Sequence, residues 1–153
     1  MSKIFSGISS LDIDSIKFDP VPIELFDQTA RLAAKIIGDN RESNKPTQVR
    51  KFYDELCMWH DKVHMAKDKE KALEENLPFI RMLNAKIAYA KGRNQKDDRR
   101  DPTVVDRTGL VDKNFVDLFS PCIQQIDSYK KLRNFKLFFE AFMGFYKLER
   151  PKD

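Results

Sequence analysis

Glycine is scarce in this chain, with five in 153 residues. A phosphate-binding loop or a dinucleotide fingerprint needs several glycines at fixed spacing, so that backbone can close on phosphate; neither can be assembled here. Cysteine is scarcer. Cys57 and Cys122 stand far apart, which excludes a disulfide framework and reads as two free, buried thiols. Only two histidines occur, His60 and His64, and no Ser/His/Asp or Cys/His arrangement can be supported from spacing. No apolar run approaches the ~20 residues that a membrane span requires. The opening "MSKIFSGISSLDIDSIKF" alternates polar and apolar residues. It lacks the continuous apolar stretch of a secretory signal, so a cytoplasmic chain without membrane contact is expected. Sequence repeats are absent, and the one strand-like stretch is "TVV" at 103–105.

What remains is apolar and charged. Hydrophobic residues make up 41% and charged residues 34%, the balance of a globular protein with a densely charged surface. The length suits one domain with a real core. The net charge of +4 is unevenly spread: residues 1–44 carry 5 cations and 7 anions, residues 45–100 carry 14 and 9, and residues 101–153 carry 9 and 8. A mild total with a basic middle third suits a specific anionic partner.

Helical periodicity dominates from residue 21 onward. In "PVPIELFDQTARLAAKIIGDN", Ile23, Phe26, Ala30, Ala33 and Ile37 form one stripe, with Pro22 at the start and Gly38 at the end. A second helix is expected from Gln48 to His64 with Thr47 as its cap, and a third from Lys71 to Lys91, kinked or restarted at Pro78. "RNQKDDRRDPTVVDRTGLVD" breaks all periodicity and reads as a polar loop over 94–112. A fourth helix carries Phe115, Phe119, Ile123, Ile126 and Tyr129. After a break at Asn134, a fifth carries Phe135, Phe138, Phe139, Phe142, Phe145 and Tyr146 on a core-facing stripe. These patterns predict an all-α, single-domain bundle of about five helices over 21–150, preceded by an N-terminal arm over 1–20 that is partly mobile.

The catalytic-looking stretch is "CMWHDKVH". His60 and His64 at i and i+4, Cys57 on the same helical side and Asp61 between them are the residue types that hold zinc. However, His60 falls about 20° from Val49 on a helical wheel, inside the apolar stripe of Val49, Phe52 and Leu56. That placement fits a core-edge histidine with a hydrogen-bond partner. No third ligand is evident, so no metal, cofactor or enzymatic activity is expected.

Two basic features point elsewhere. In "KPTQVRKFYDEL", Lys45, Arg50 and Lys51 crowd a helix beginning, where positive partial charge already makes cations unfavourable. One explanation is intrahelical pairing of Arg50 with Asp54 and Lys51 with Glu55; the other is an outward-facing anion site. In the third helix, Leu73, Leu77, Ile80 and Ile87 define the core face, with Leu83 near its edge. Met82, Lys86, Tyr89 and Arg93 lie between about 120° and 180° from Leu77. Flat rings and cations at regular rise suit a phosphate–sugar backbone with exposed bases. The same stripe could instead pack on another helix, its cations reaching past the edge.

"TQVRKFYDEL", "LNAKIAYAKGR" and "FFEAFMGFYK", in this order, resemble the small subunit of the type III-A CRISPR effector, the Csm complex. The resemblance implies a helical protein without catalytic activity of its own. Several copies of it would stack beside a crRNA paired to target RNA, in contact with the backbone and large subunits of the complex. It also implies RNA contacts at Arg50, Lys51, Lys86 and Arg93, with Tyr89 on the same stripe and Lys91 between the matched positions. A helical adaptor that binds only protein is the alternative from another class.

Overall fold

The computed structural model describes residues 3–6, 9–93 and 109–151. Five helices build the bundle: α1 (Ala30–Asp39), α2 (Pro46–His64), α3 (Lys69–Gly92), α4 (Lys113–Gln124) and α5 (Tyr129–Glu149). α1 lies on α5, α5 on α2, α2 on α3, and α3 on α4. The all-α bundle read from periodicity is therefore the architecture found, with a small addition. Strands β1 (Lys3–Ser6) and β2 (Ser9–Asp12) pair antiparallel, with Ile4 opposite Leu11. The "TVV" stretch lies outside the described residues, as does most of the loop expected at 94–112.

The aromatic stripe of α5 is the centre of the core. Phe119 of α4 stacks on Phe139 with 4.5 Å between ring centroids and meets Phe142 edge-on at 5.3 Å, while Phe115 stands 4.6 Å away on its other side. Each such ring fully buried is worth about 1.5–3 kcal/mol. The N-terminal segment joins this core. Phe18 packs on Phe135 and Phe138, and Ile4, Leu11, Ile13 and Ile16 are buried. Three side-chain amides of the bundle donate to its carbonyls: Asn114 to Phe5 at 3.0 Å, Gln125 to Ile16 at 2.8 Å and Asn134 to Phe18 at 2.8 Å.

Helix starts differ from the sequence reading in instructive ways. Ahead of α1, residues Leu25–Thr29 form a π-helical turn, with the Thr29 N–H donating to the Glu24 carbonyl. The wider turn rotates the face by about one residue. Leu25 is buried, whereas Ile23 is 96% exposed and Phe26 is also exposed. α2 starts on Pro46, not Gln48, and is capped by extended Lys45, not Thr47; Lys45 makes no side-chain cap. α3 starts at Lys69, capped by the Asp68 carboxylate, and is helical through Pro78. Its buried face holds Leu83 fully and Leu77 only partly. Tyr129 opens α5, where Ser128 accepts from the Lys131 N–H, and Asn134 is a buried helical residue and not a break. No described helix is long and apolar enough to cross a membrane.

Candidate nucleic-acid interface

Helix α2 is flanked by α3 on one side and α5 on the other, and its polar residues divide between these two seams. On the α3 side, Glu55 holds Lys86: the ammonium lies 2.8 and 2.9 Å from the two carboxylate oxygens. One turn on, Trp59 stacks on Phe79 at 5.9 Å with nearly parallel rings, and the Lys62 ammonium stands 5.5 Å over the indole. Phe79, Met82, Lys86, Tyr89 and Arg93 then run along the exposed side of α3, with Met82 52% and Tyr89 69% exposed. The stripe that sequence spacing placed at Met82 to Arg93 is thus exposed, with Glu55 of α2 reaching it at Lys86. It reaches one turn further than expected, to Phe79.

The six cationic and aromatic candidates do not form one cluster. Lys86, Tyr89 and Arg93 share the α3 face. Lys51 is exposed one turn before Glu55, about 40° from it around α2, and so tends toward the same side. Lys91 is half-buried near the opposite edge of α3, off the stripe. Arg50 is turned toward α5, in a different surface region. Of the two intrahelical pairs considered, Arg50 with Asp54 is present at 3.8 Å, both side chains well exposed. Glu55 instead holds Lys86.

Arg50 helps line a cleft of about 480 Å³ between the start of α2 and the end of α5. Pro46 and Met143 contribute apolar surface, Gly144 exposed backbone, and Lys147 and Arg150 further charge. A knot of buried polar bonds fixes the cleft from below. Asn44, at φ 56°, donates through its side chain to the Ile37 carbonyl and accepts from the Asp112 N–H, and its own carbonyl accepts from the Tyr146 hydroxyl. Asparagine is among the few residues that tolerate this left-handed backbone. Arg150 donates to the carbonyls of Asn40 and Ser43. The backbone amides of the first α2 turn are largely committed, because the Lys45 carbonyl accepts from both Gln48 and Val49. The charge of the cleft therefore comes from side chains. Spacing gave no hint of Lys147 or Arg150 as neighbours of Arg50, since that proximity is tertiary. The available signal was Gly144, a glycine in the interior of a helix.

The remaining α2–α5 seam is structural. Burial lifts the Tyr53 hydroxyl and the Cys57 thiol above their ordinary pKa ranges, and the Glu140 carboxylate, 2.9 Å from Lys136, raises that ammonium. Cys57 is half-buried and Cys122 buried, and both are free. His60 is buried at the core edge, its Nδ1 3.0 Å from an Asp61 carboxylate oxygen and its ring stacked with His64 and Tyr129. The His64 Nδ1 meets the Tyr129 hydroxyl. Among the described residues no three His, Cys, Asp or Glu side chains are grouped to hold a metal.

Comparison with curated proteins and with solved structures gave no match. The model of one protein family, Csm2 Type III-A, matches residues 21–152, from the end of the N-terminal arm through all five helices. A match over most of the chain, on a helical bundle of this form, means that the protein belongs to the Csm2 Type III-A family and is a small subunit of the type III-A CRISPR effector.

Proposed function

We propose that this protein is a non-catalytic subunit that stacks in several copies along a crRNA–target RNA duplex. Its exposed α3 face contacts the RNA backbone, in a cytoplasmic ribonucleoprotein serving antiviral defence. The observation that carries this reading is the exposed succession Met82, Lys86, Tyr89 and Arg93. A stripe made for packing within this chain would be covered by one of its own helices, and Tyr89, 69% exposed between two cations, offers a flat ring on which a base can stack. Lys86 and Arg93 are seven residues apart, about 10 Å along the helix, a span of a few nucleotides. Lys51 extends the same charged side from α2, and Arg50 contributes from the neighbouring cleft.

The test is made in the assembled complex, with Lys86→Ala and Tyr89→Ala compared against wild type across a range of salt. Each lost phosphate contact lowers affinity and flattens the salt slope by about 0.7–0.9, the range from single strand to duplex. Tyr89→Ala lowers affinity with little change in slope, because a ring contributes no charge. Unchanged affinity and slope in both variants contradicts RNA contact by α3. A protein-only adaptor is then favoured, in keeping with the exposed Phe79 beside Trp59.

A further inference from the structure

The cleft between α2 and α5 contains a glycine that the fold does not need. Gly144 lies inside α5, where glycine is less favourable than alanine because it loses more backbone freedom on folding. At two other glycines a tight fit explains the choice: a Cβ on Gly109 would stand 2.6 Å from the Lys91 carbonyl oxygen, and one on Gly38 would stand 3.1 Å from the Glu149 Cβ; Gly92, also in open space, is the last residue of α3 and not inside a helix. A Cβ on Gly144 meets nothing within 4 Å. The residue keeps a helix surface bare where it faces no part of its own chain, and that bare surface lines the cleft.

The surroundings state what could approach it. Arg50 from α2 and Lys147 from α5 line the cleft together, and no carboxylate of the described residues lines it. Asp54 stands 3.8 Å from Arg50 in an exposed pair, and such pairs yield readily to a phosphate. Among the described residues Lys147 reaches the Pro151 carbonyl, at 3.3 Å. Pro46, Met143 and the open backbone of Gly144 line the same cleft. A volume of about 480 Å³ is within the range of small-ligand pockets.

We infer that this cleft binds one nucleotide of an RNA strand. The phosphate lies between Arg50 and Lys147, and the base or ribose lies against Pro46, Met143 and the bare helix at Gly144. The inference rests on the reading of the protein as an RNA-contacting subunit and adds a second contact, on the opposite flank of α2 from the α3 stripe. It also gives Arg50 a role separate from that of Lys86.

Titration of the full chain with AMP, ribose 5-phosphate and inorganic phosphate, followed by amide chemical shifts, tests it. AMP should move the amides of Thr47 and Gly144 and bind about tenfold more tightly than inorganic phosphate, the scale of burying part of a base against apolar surface. Gly144→Leu should abolish these shifts while the thermal midpoint does not fall, because the new side chain enters open space. Arg50→Ala combined with Lys147→Ala should abolish them by removing charge without filling the cleft. Equal affinity for AMP and inorganic phosphate, shifts confined to other residues, or AMP binding that survives Gly144→Leu each overturns the inference. Such a result leaves the α3 contact standing, since that is read separately from Lys86→Ala in the assembled complex.

Discussion

Lys86 is held by Glu55 in the free protein, and this makes RNA contact testable through the carboxylate instead of the cation. The ammonium touches both Glu55 oxygens, at 2.8 and 2.9 Å, with the two side chains 48% and 23% exposed. A pair this exposed is worth about 0.2–1 kcal/mol. If Lys86 must leave Glu55 to meet a phosphate, that amount is subtracted from RNA binding, and Glu55→Gln returns it. The expected gain in affinity is about 1.4- to 5-fold. The same substitution weakens the α2–α3 seam, so the thermal midpoint should fall by up to about 4 °C. Gln retains an acceptor for the Trp59 indole N–H, 3.4 Å from Glu55, so the stacked Trp59–Phe79 pair should persist. Opposite movement of stability and affinity is the signature.

The assay is anisotropy of labelled RNA with assembled complexes carrying each variant, at several salt concentrations. Removing any negative charge near a polyanion site raises affinity somewhat, so the decisive comparison is a double-mutant cycle with Lys86→Ala. With Lys86 absent, Glu55→Gln should give little further gain. If the gain persists without Lys86, or if Glu55→Gln leaves affinity unchanged, Lys86 is a clasp between α2 and α3 and not an RNA contact.

Three further outcomes are expected. Asn134→Ala leaves the Phe18 carbonyl without its buried donor and should cost about 1–3 kcal/mol; an unchanged melting curve would show that the bond does not hold the N-terminal segment. Stability should decline as pH rises above about 9: burial raises Cys122, Tyr53 and Tyr146 in the folded state. Their stabilising contribution is therefore complete below the unfolded values and is lost as the unfolded chain ionises first. A thermal midpoint flat from pH 8 to pH 11 contradicts this. The purified subunit should bind RNA weakly and with strong salt dependence, gaining affinity only beside its partner subunits, because a few phosphate contacts per copy depend on repetition; tight one-to-one binding by the lone subunit contradicts the stacked arrangement.

Long amphipathic segments were legible in the sequence because their period reports the buried face directly. The α5 aromatic stripe and the exposed α3 stripe are where helical spacing put them. Helix beginnings were less legible. Local turn geometry decided that Leu25, and not Ile23, enters the core, and the π-helical turn responsible leaves no period in the sequence. Asn134 looked like a helix breaker because asparagine competes with backbone hydrogen bonds. Its amide is instead used by a carbonyl 116 positions earlier in the chain, a partner that local reasoning cannot supply. The hairpin was missed for a similar reason: its short strands are stabilised by burying Ile4 and Leu11 on the bundle, not by their own pattern.

The cations that crowd the beginning of α2 show most clearly how one line of sequence can serve two surfaces. They look like a single anion site, yet Arg50 and Lys51 are adjacent and so diverge by about 100° around the helix. Capping does not explain them. Pro46 has no N–H, and the Gln48 and Val49 amides already share the Lys45 carbonyl. Pairing does not explain them either, since Arg50–Asp54 at 3.8 Å is an exposed contact worth at most about 0.5 kcal/mol. That gain is comparable to the cost of a cation near a helix N-terminus, about 0.3–1 kcal/mol before screening. What the helix does not gain, a partner can. Lys51 falls on the side of Glu55 and Lys86, and Arg50 falls in the cleft with Lys147. If both surfaces meet RNA, exchanging the two roles must fail. An Arg50→Ala variant should not be rescued by an added cation beside Lys51, and Lys51→Ala should not alter nucleotide shifts in the cleft. Rescue across the helix would mean that only total charge matters and that neither surface is a site.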